Sequence, residues 1–225
     1  MHAAGAASAV GIVTKTWLEA FSDGVLAIAI TLLVIEIRPP ELHQGERLAD
    51  ALWAQWPSYL AYLVSFLTIG VIWLNHHRLF EQVAWVDGPL LVLNLNLLLW
   101  TALIPFPTAV VAEHLGGVGE AARTASALYC GVLLGMSLSF GGLFAWVTRD
   151  ARLLHRPPPP GVVRGARLRF TVGLGVYAVA LALSWVSAPL ALALCGLIAL
   201  YYAFDQASVP AAVEPSDQQP TGRPT

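Results

Sequence analysis

Two short polar clusters interrupt otherwise apolar stretches of this sequence. The first is Ser22-Asp23, inside the run WLEAFSDGVLAIAITLLVIEIR, and the second is WLNHH at residues 73–77. An ionised carboxylate inside an apolar helix is unfavourable unless it faces protein or water and has a partner. Hydroxyl, amide, imidazole and indole groups supply complementary donors and acceptors. The two clusters therefore predict a hydrogen-bonded contact between two helices.

Three kinds of chemistry fit such an Asp–His–Asn–Trp cluster. The simplest is an assembly network that locks two helices together, and the others are a proton relay and a metal site. Asp23 would be the acidic member, with His76 or His77 as its basic partner. Adjacent side chains point about 100° apart on a helix, so one metal ion would hardly take both histidines.

Composition places these clusters in a membrane protein. The chain has 225 residues, of which 57% are hydrophobic and only 12% are charged. Its mean hydropathy is +0.67, and soluble domains carry about 25% charged residues. Cys130 and Cys195 both fall in apolar runs, which favours small membrane hydrophobes over a disulfide framework. The net charge of −2 gives no reason to expect a nucleic-acid partner.

Six apolar segments approach the length of about 20 residues that a spanning helix needs. They cover residues 17–37, 56–77, 89–111, 125–147, 170–187 and 189–204. We therefore predict an all-α integral membrane protein with six transmembrane helices over residues 15–205. Pro105 and Pro107 should kink the third span, and residues 41–55 should form an amphipathic surface helix.

The ends of the chain and its basic residues predict the remaining topology. Residues 1–14 read as a flexible N-terminus and residues 206–225 as a disordered tail. Basic residues concentrate on the cytoplasmic side of membrane proteins. The predicted loop between spans four and five contains Arg149, Arg152, Arg156, Arg164, Arg167 and Arg169, and the predicted loops on the opposite side contain only Arg38, Arg47 and Arg123. Both termini should then be cytoplasmic, in a plasma-membrane protein.

Helical periodicity divides the first span into two faces. One stripe along the helix consists of Gly24, Ile28, Thr31, Leu32 and Ile35. Asp23 lies almost on the opposite side of the helix. From the pattern alone, this stripe is ordinary lipid-facing or packing surface, because any apolar helix has such stripes.

A family resemblance gives the stripe another meaning. The FSD at residues 21–23, with the following GVLAIAITLLVIEI, resembles the signature first helix of the transmembrane protein 175 family of potassium channels. WLNHH at residues 73–77 and LIPFPT at residues 103–108 extend the similarity, which covers roughly residues 17–113. One six-helix repeat per chain, as in the bacterial members, implies a homotetramer around a central axis.

The resemblance also assigns roles to residues. In that family the first helix lines a pore narrowed by a ring of bulky apolar side chains, a position that maps to Ile28. A threonine layer that influences selectivity maps to Thr31, and further apolar pore positions map to Leu32 and Ile35. The family's network around the pore helix maps to Phe21, Ser22, Asp23, Trp73, Asn75, His76 and His77. These roles imply a potassium-selective leak channel with an apolar constriction instead of a carbonyl filter.

One position departs from the family motif, and one segment imitates the filter of a different class of potassium channel. The family motif begins with arginine at the position of Trp17, so His77 or His76 is expected to complete the network around Asp23 instead. TVGLG at residues 171–175 is close to the filter sequence of ordinary potassium channels. It begins two residues after Arg169 at a predicted helix start, which favours a small-residue packing face.

Other functions stay open on composition alone. A proton-linked or cation secondary transporter could use Asp23 with the histidines, although the repeats and broken helices of such transporters are not evident. A structural or signalling membrane protein is also compatible with the composition. The sequence contains no HExxH, GxSxG or paired aspartates, so an enzyme is not expected. The expected partners are membrane lipid, potassium ions and further copies of the chain, with no cofactor.

Overall fold

The computed structural model describes residues 14–117, 119–149, 153–156 and 158–207. Most of this part is helical, and one isolated bridge joins Val83 to Leu154. The helices, in chain order, are α1 (Lys15–Ile35), α2 (Leu48–Ala54), α3 (Trp56–Gln82), α4 (Gly88–Leu103), α5 (Pro105–His114), α6 (Glu120–Arg149), α7 (Pro160–Ser184) and α8 (Ala188–Ala207). The predictions for residues 1–13 and 208–225 fall outside the described residues.

Five helical segments of the described chain are long and apolar enough to cross a membrane. They are α1, α3, the combined Gly88–His114 segment, α6 and α7. The apolar part of α8, Ala188–Phe204, is shorter than these five. An all-α protein with several membrane-spanning helices is thus confirmed, while the sixth span stays a prediction.

A helix cap begins the first span, and a short helix forms in the loop that follows this span. The Thr14 hydroxyl accepts a hydrogen bond from the Trp17 backbone N–H over 3.4 Å and so caps α1. This cap makes Thr14 part of the helix start, although the sequence placed it in the flexible N-terminus. Within the predicted surface segment, a helix forms over Leu48–Ala54.

The third span is divided at its prolines, as predicted. α4 ends at Leu103 and α5 begins at Pro105, with Ile104 between them. A proline lacks the backbone N–H of a helical hydrogen bond and its ring clashes with the preceding turn. The Thr108 N–H still bonds to the Ile104 carbonyl at 3.1 Å, so the chain resumes a helix directly after the break.

The fifth span begins earlier than the sequence suggested. We predicted a start near Phe170 after a basic loop, but α7 begins at Pro160. Proline is favourable in the first turn of a helix, where its missing N–H has no intrahelical partner. Arginine is among the better helix formers. Arg164, Arg167 and Arg169 therefore lie on the first turns of α7 and not in a loop.

The protein core forms where α6 packs against α4, α5, α7 and α8. Close approach depends on glycine at two points, since Trp100 packs over Gly135 and Tyr202 packs over Gly173. Gly173 belongs to the TVGLG segment, which lies inside α7 as part of a helix-packing face.

Polar and sulfur-containing side chains are also buried in this core. Ser65 of α3 bonds to Thr108 of α5 at 2.8 Å and to Tyr129 of α6 at 2.9 Å. Cys130 and Cys195 are buried free thiols with their sulfur atoms 3.8 Å apart. Both cysteines therefore pack as small core residues, as their apolar sequence context indicated.

Candidate functional site

One face of α1 holds this helix against the rest of the chain. Its buried residues follow the three- and four-residue spacing of a single helical face: Leu18, Ser22, Leu26, Ala29 and Leu33. This face packs against α3, α4 and α5. Only the hydroxyl of Ser22 interrupts its apolar character, and that hydroxyl is hydrogen-bonded.

The opposite face of α1 is uncovered within the chain. All five residues of the predicted stripe are exposed: Gly24, Ile28, Thr31, Leu32 and Ile35. Exposure reaches 61% for Ile28 and 69% for Ile35. In a membrane protein, such a face must meet lipid, another protein or a water-filled path. The structure thus places the four proposed pore residues on one accessible surface.

Thr31 gives this apolar surface a polar position. Its hydroxyl donates a hydrogen bond to the Ile28 carbonyl over 2.9 Å. A hydroxyl has one donor and two acceptor lone pairs. Because the hydrogen is used by the helix backbone, the oxygen atom offers acceptor character to whatever contacts this face.

Asp23 makes a direct contact between α1 and α3. Its Oδ1 accepts a hydrogen bond from the Trp73 indole Nε1 over 3.0 Å. The neighbouring residue Phe21 is exposed, and so is Trp17, at 74%. The carboxylate is therefore satisfied by a side chain from the next spanning helix, while the indole that replaces the family arginine points outward.

A second contact joins α1, α3 and α4 through Asn94. The Asn94 amide donates to the Ser22 hydroxyl at 2.9 Å, and its Oδ1 is 2.8 Å from Nε2 of His76. Ser22 in turn donates to the Leu18 carbonyl at 2.8 Å. No motif in the sequence placed Asn94 in this network. Its burial in an apolar span was the available signal.

The remaining members of the predicted network lie elsewhere. His77 is exposed, and its Nε2 is 3.4 Å from a carboxylate oxygen of Glu81 one turn along α3. Asn75 lines cavities on the side of α3 that faces α7 and α8. The single cluster expected around Asp23 is instead two separate contacts, because successive side chains of α3 point in different directions.

Metal chemistry has no support in the described part of the chain. No group of three or more His, Cys, Asp or Glu side chains there is arranged to hold a metal ion. His76 and His77 have different partners, Asn94 and Glu81.

Comparisons with known proteins identify the family to which this arrangement belongs. Residues 17–105 match the family model described as endosomal/lysosomal potassium channel TMEM175. A potassium channel of Streptomyces collinus is 47% identical over 193 residues, which is 86% of this chain and 93% of that protein. The chain belongs to the TMEM175 family. The family match covers α1 from Trp17 onward and all of α2, α3 and α4, and thus both the exposed stripe and the Asp23–Trp73 contact.

A solved structure extends the TMEM175 likeness beyond the matched segment. The crystal structure of a lysosomal potassium-selective channel TMEM175 homolog from Chamaesiphon minutus has a TM-score of 0.75 and 39% identity. It covers 86% of this TMEM175 chain and 98% of the other. An endosomal/lysosomal proton channel TMEM175 of Gallus gallus is 38% identical over 108 residues, which is 22% of that longer protein.

Proposed function

We propose that four copies of this chain assemble into a potassium channel whose pore is lined by α1. The observation that carries this proposal is the uncovered face of α1, which presents Ile28, Thr31, Leu32 and Ile35 together. A four-fold arrangement would turn this face toward a central axis. The Streptomyces and Chamaesiphon relatives, which are named as potassium channels, support the same function.

The narrowest part of this pore is assigned to Ile28. A ring of isoleucine side chains forms an apolar neck, which passes partly dehydrated ions when wide and dewets when narrow. Potassium sheds water more readily than sodium, so a tight apolar neck favours potassium without a carbonyl filter. Thr31 adds oxygen acceptors one turn away, where a dehydrating cation benefits from them.

The two contacts around α1 are assigned a positioning role. Asp23–Trp73 holds one flank of the helix, and Ser22–Asn94–His76 holds its buried side. Together they fix the rotation of α1 about its own axis. This rotation decides which side chains meet at the centre, so the network acts on conduction through Ile28 without touching the ion.

The topology proposal has six spans with α8 as the last. α7 and α8 are joined by a short turn after Ser184, so they run in opposite directions. The arginines on the first turns of α7, with Arg149 at the end of α6, support a cytoplasmic position for this side of the protein, because basic residues concentrate there. Both termini then lie on the cytoplasmic side of a plasma-membrane leak channel.

Ion flux through the purified protein in liposomes tests this function. Potassium and sodium gradients of equal size are imposed in turn, and empty liposomes provide the baseline. Passive potassium flux that exceeds sodium flux is the expected result. Equal fluxes of the two ions, or no flux above the baseline, would contradict a potassium-selective leak.

Proton movement is the second candidate function. It is favoured by the Gallus gallus relative, which is named a proton channel, and by an imidazole, His76, buried beside the pore helix. A pH-sensitive dye inside the same liposomes distinguishes the cases. Saturable proton flux in fixed ratio to another cation indicates a carrier, while passive proton flux without potassium flux indicates a proton channel.

A further inference from the structure

A cavity at the arginine-rich end of the protein has no part in the proposed pore. It lies between α3, α7 and α8 and has a volume of about 380 Å³, within the range of small-molecule sites. Arg78 of α3 and Arg169 of α7 line it, together with the small residues Gly165 and Ala166 and the ring of Tyr202. We call it the arginine cavity.

The charge of the arginine cavity is positive. No Asp or Glu is among the described residues that line it. Arg78 and Arg169 also make contacts within the chain, but a guanidinium has five N–H donors and can serve several acceptors at once. Planar guanidinium groups bind phosphate through paired hydrogen bonds, which makes them suited to a phosphate-bearing ligand.

The position of the cavity corresponds to the membrane–water boundary. Arg78 lies one turn before the end of α3 at Gln82, and Arg169 lies on the early turns of α7. Arginines near the ends of spanning helices reach toward lipid headgroups. Basic pockets between spanning helices are a known setting for anionic lipid headgroups.

An apolar cleft continues from the arginine cavity into the membrane region. The two spaces share Asn75, Phe170 and Tyr202, and the cleft, with a volume of about 40 Å³, reaches Ile72 and Met136. A free phosphate would use only the basic part of this surface. A phospholipid uses both parts, since it has an anionic headgroup and an apolar chain.

We propose that the arginine cavity binds the phosphate headgroup of an anionic phospholipid from the leaflet next to the arginine-rich end, with only the first methylene groups of an acyl chain at the apolar cleft. Asn75 connects this site to the pore helix. It lies in the turn of α3 that carries Trp73 and His76, whose side chains hold α1. A bound headgroup therefore stabilises the end of α3 that positions the pore helix.

Lipid binding to the full chain in neutral detergent tests this site. The probes are dioleoyl phosphatidylglycerol, dioleoyl phosphatidylcholine and inorganic phosphate, and the readouts are bound lipid by native mass spectrometry and the thermal unfolding midpoint. We expect phosphatidylglycerol to bind and raise the midpoint more than phosphatidylcholine does. The double variant Arg78→Gln, Arg169→Gln should bind phosphatidylglycerol about thirtyfold more weakly. Each arginine near an anionic headgroup usually strengthens binding about fivefold, and two such losses multiply.

A matched double variant separates the site from general surface charge. Arg164→Gln with Arg167→Gln removes the same charge from exposed positions of α7 that do not line the cavity, and it should keep the preference for phosphatidylglycerol. Equal losses in both double variants would overturn the proposal, and so would equal binding of the two lipids. A full midpoint shift with inorganic phosphate alone would show a soluble-anion site and would also overturn it.

A cavity-filling variant covers the case in which the arginine variant does not fold. A Cβ atom at Gly165 meets no other atom within 4 Å, so Gly165→Leu fits the backbone and occupies the cavity while both arginines remain. Weaker phosphatidylglycerol binding in this variant supports the site. Unchanged binding contradicts it.

Discussion

The indole Nε1 of Trp73 donates a hydrogen bond to Oδ1 of Asp23 over 3.0 Å, which joins α3 to α1 at one defined point. The contact is partly exposed to the surroundings, with Trp73 exposed by 42%. It is a charge-assisted bond when the carboxylate is ionised. Under the proposed function, this contact fixes the position of α1 relative to α3.

Loss of the Trp73 donor should loosen the pore helix. Trp73→Phe keeps an aromatic ring but removes the N–H, and we expect the free energy of unfolding to fall by about 1 kcal/mol. This value is smaller than for a buried hydrogen bond to a carboxylate, because the contact is partly exposed. Thermal unfolding in detergent measures it. Trp85→Phe, at an exposed position between α3 and α4, should have little effect. Equal losses in the two variants would argue against a specific role for the Asp23 contact.

Asn94 should contribute more to stability than Asp23 does. It is fully buried and has two side-chain partners on two other helices, Ser22 and His76. Asn94→Leu leaves both partners without this amide, and at roughly 1 kcal/mol per interhelical bond the loss is about 2 kcal/mol. Asn96→Leu is the comparison, since exposed Asn96 donates to Ser139 alone in the described contacts. A smaller loss for Asn94 than for Asn96 would contradict the proposed junction.

Gly135 provides a test of helix packing inside α6. A Cβ atom at this position would lie 2.7 Å from the Trp100 ring, whereas a Cβ at Gly141 meets nothing within 4 Å. Gly135→Ala should therefore destabilise the protein by about 1–3 kcal/mol through overpacking. Gly141→Ala should be neutral or slightly stabilising, because alanine restricts the unfolded chain. Comparable unfolding midpoints for the two variants would show that α4 and α6 are not packed as described.

Thr31 should influence ion choice with little effect on stability. Thr31→Val keeps the branched shape of the side chain and removes its oxygen. Losing a contact of about 1 kcal/mol between this oxygen and potassium should lower the potassium-to-sodium permeability ratio roughly fivefold. Thr171→Val is a matched control on α7, since the Thr171 hydroxyl makes the same kind of backbone bond, to the Arg167 carbonyl at 2.9 Å. A ratio that changes equally in both variants, or in neither, would remove Thr31 from the selectivity proposal.

The sequence predicted the helical elements because apolar length and proline are strong local signals. The break at Pro105 and the two faces of α1 followed from proline geometry and from helical periodicity. The predicted start of α7 was wrong because three arginines lower the local hydropathy, which we interpreted as a loop. Arginine and a proline in the first turn both favour a helix. Local charge alone does not distinguish a loop from a helix that emerges from the membrane.

The partners within the polar network could be predicted only in part. Sequence motifs indicated Asp23 and Trp73, and burial in a span indicated that Asn94 needs a partner. The choice of Ser22 and His76 as those partners depends on the three-dimensional approach of α1, α3 and α4. Asn75 belongs to the same motif as Trp73 but points toward α7 and α8, a direction that the motif does not encode.

The permeability ratio of the Ile28→Ala variant tests the central claim most directly. Val34→Ala is the matched control, because Val34 is also an exposed apolar residue of α1 but lies off the Ile28 stripe. Potassium and sodium fluxes are compared in liposomes that contain equal amounts of each protein. We predict that Ile28→Ala raises sodium flux relative to potassium flux while Val34→Ala leaves the ratio unchanged. An unchanged ratio in Ile28→Ala, with the fluxes of the unmodified chain intact, would contradict Ile28 as the constriction of the pore.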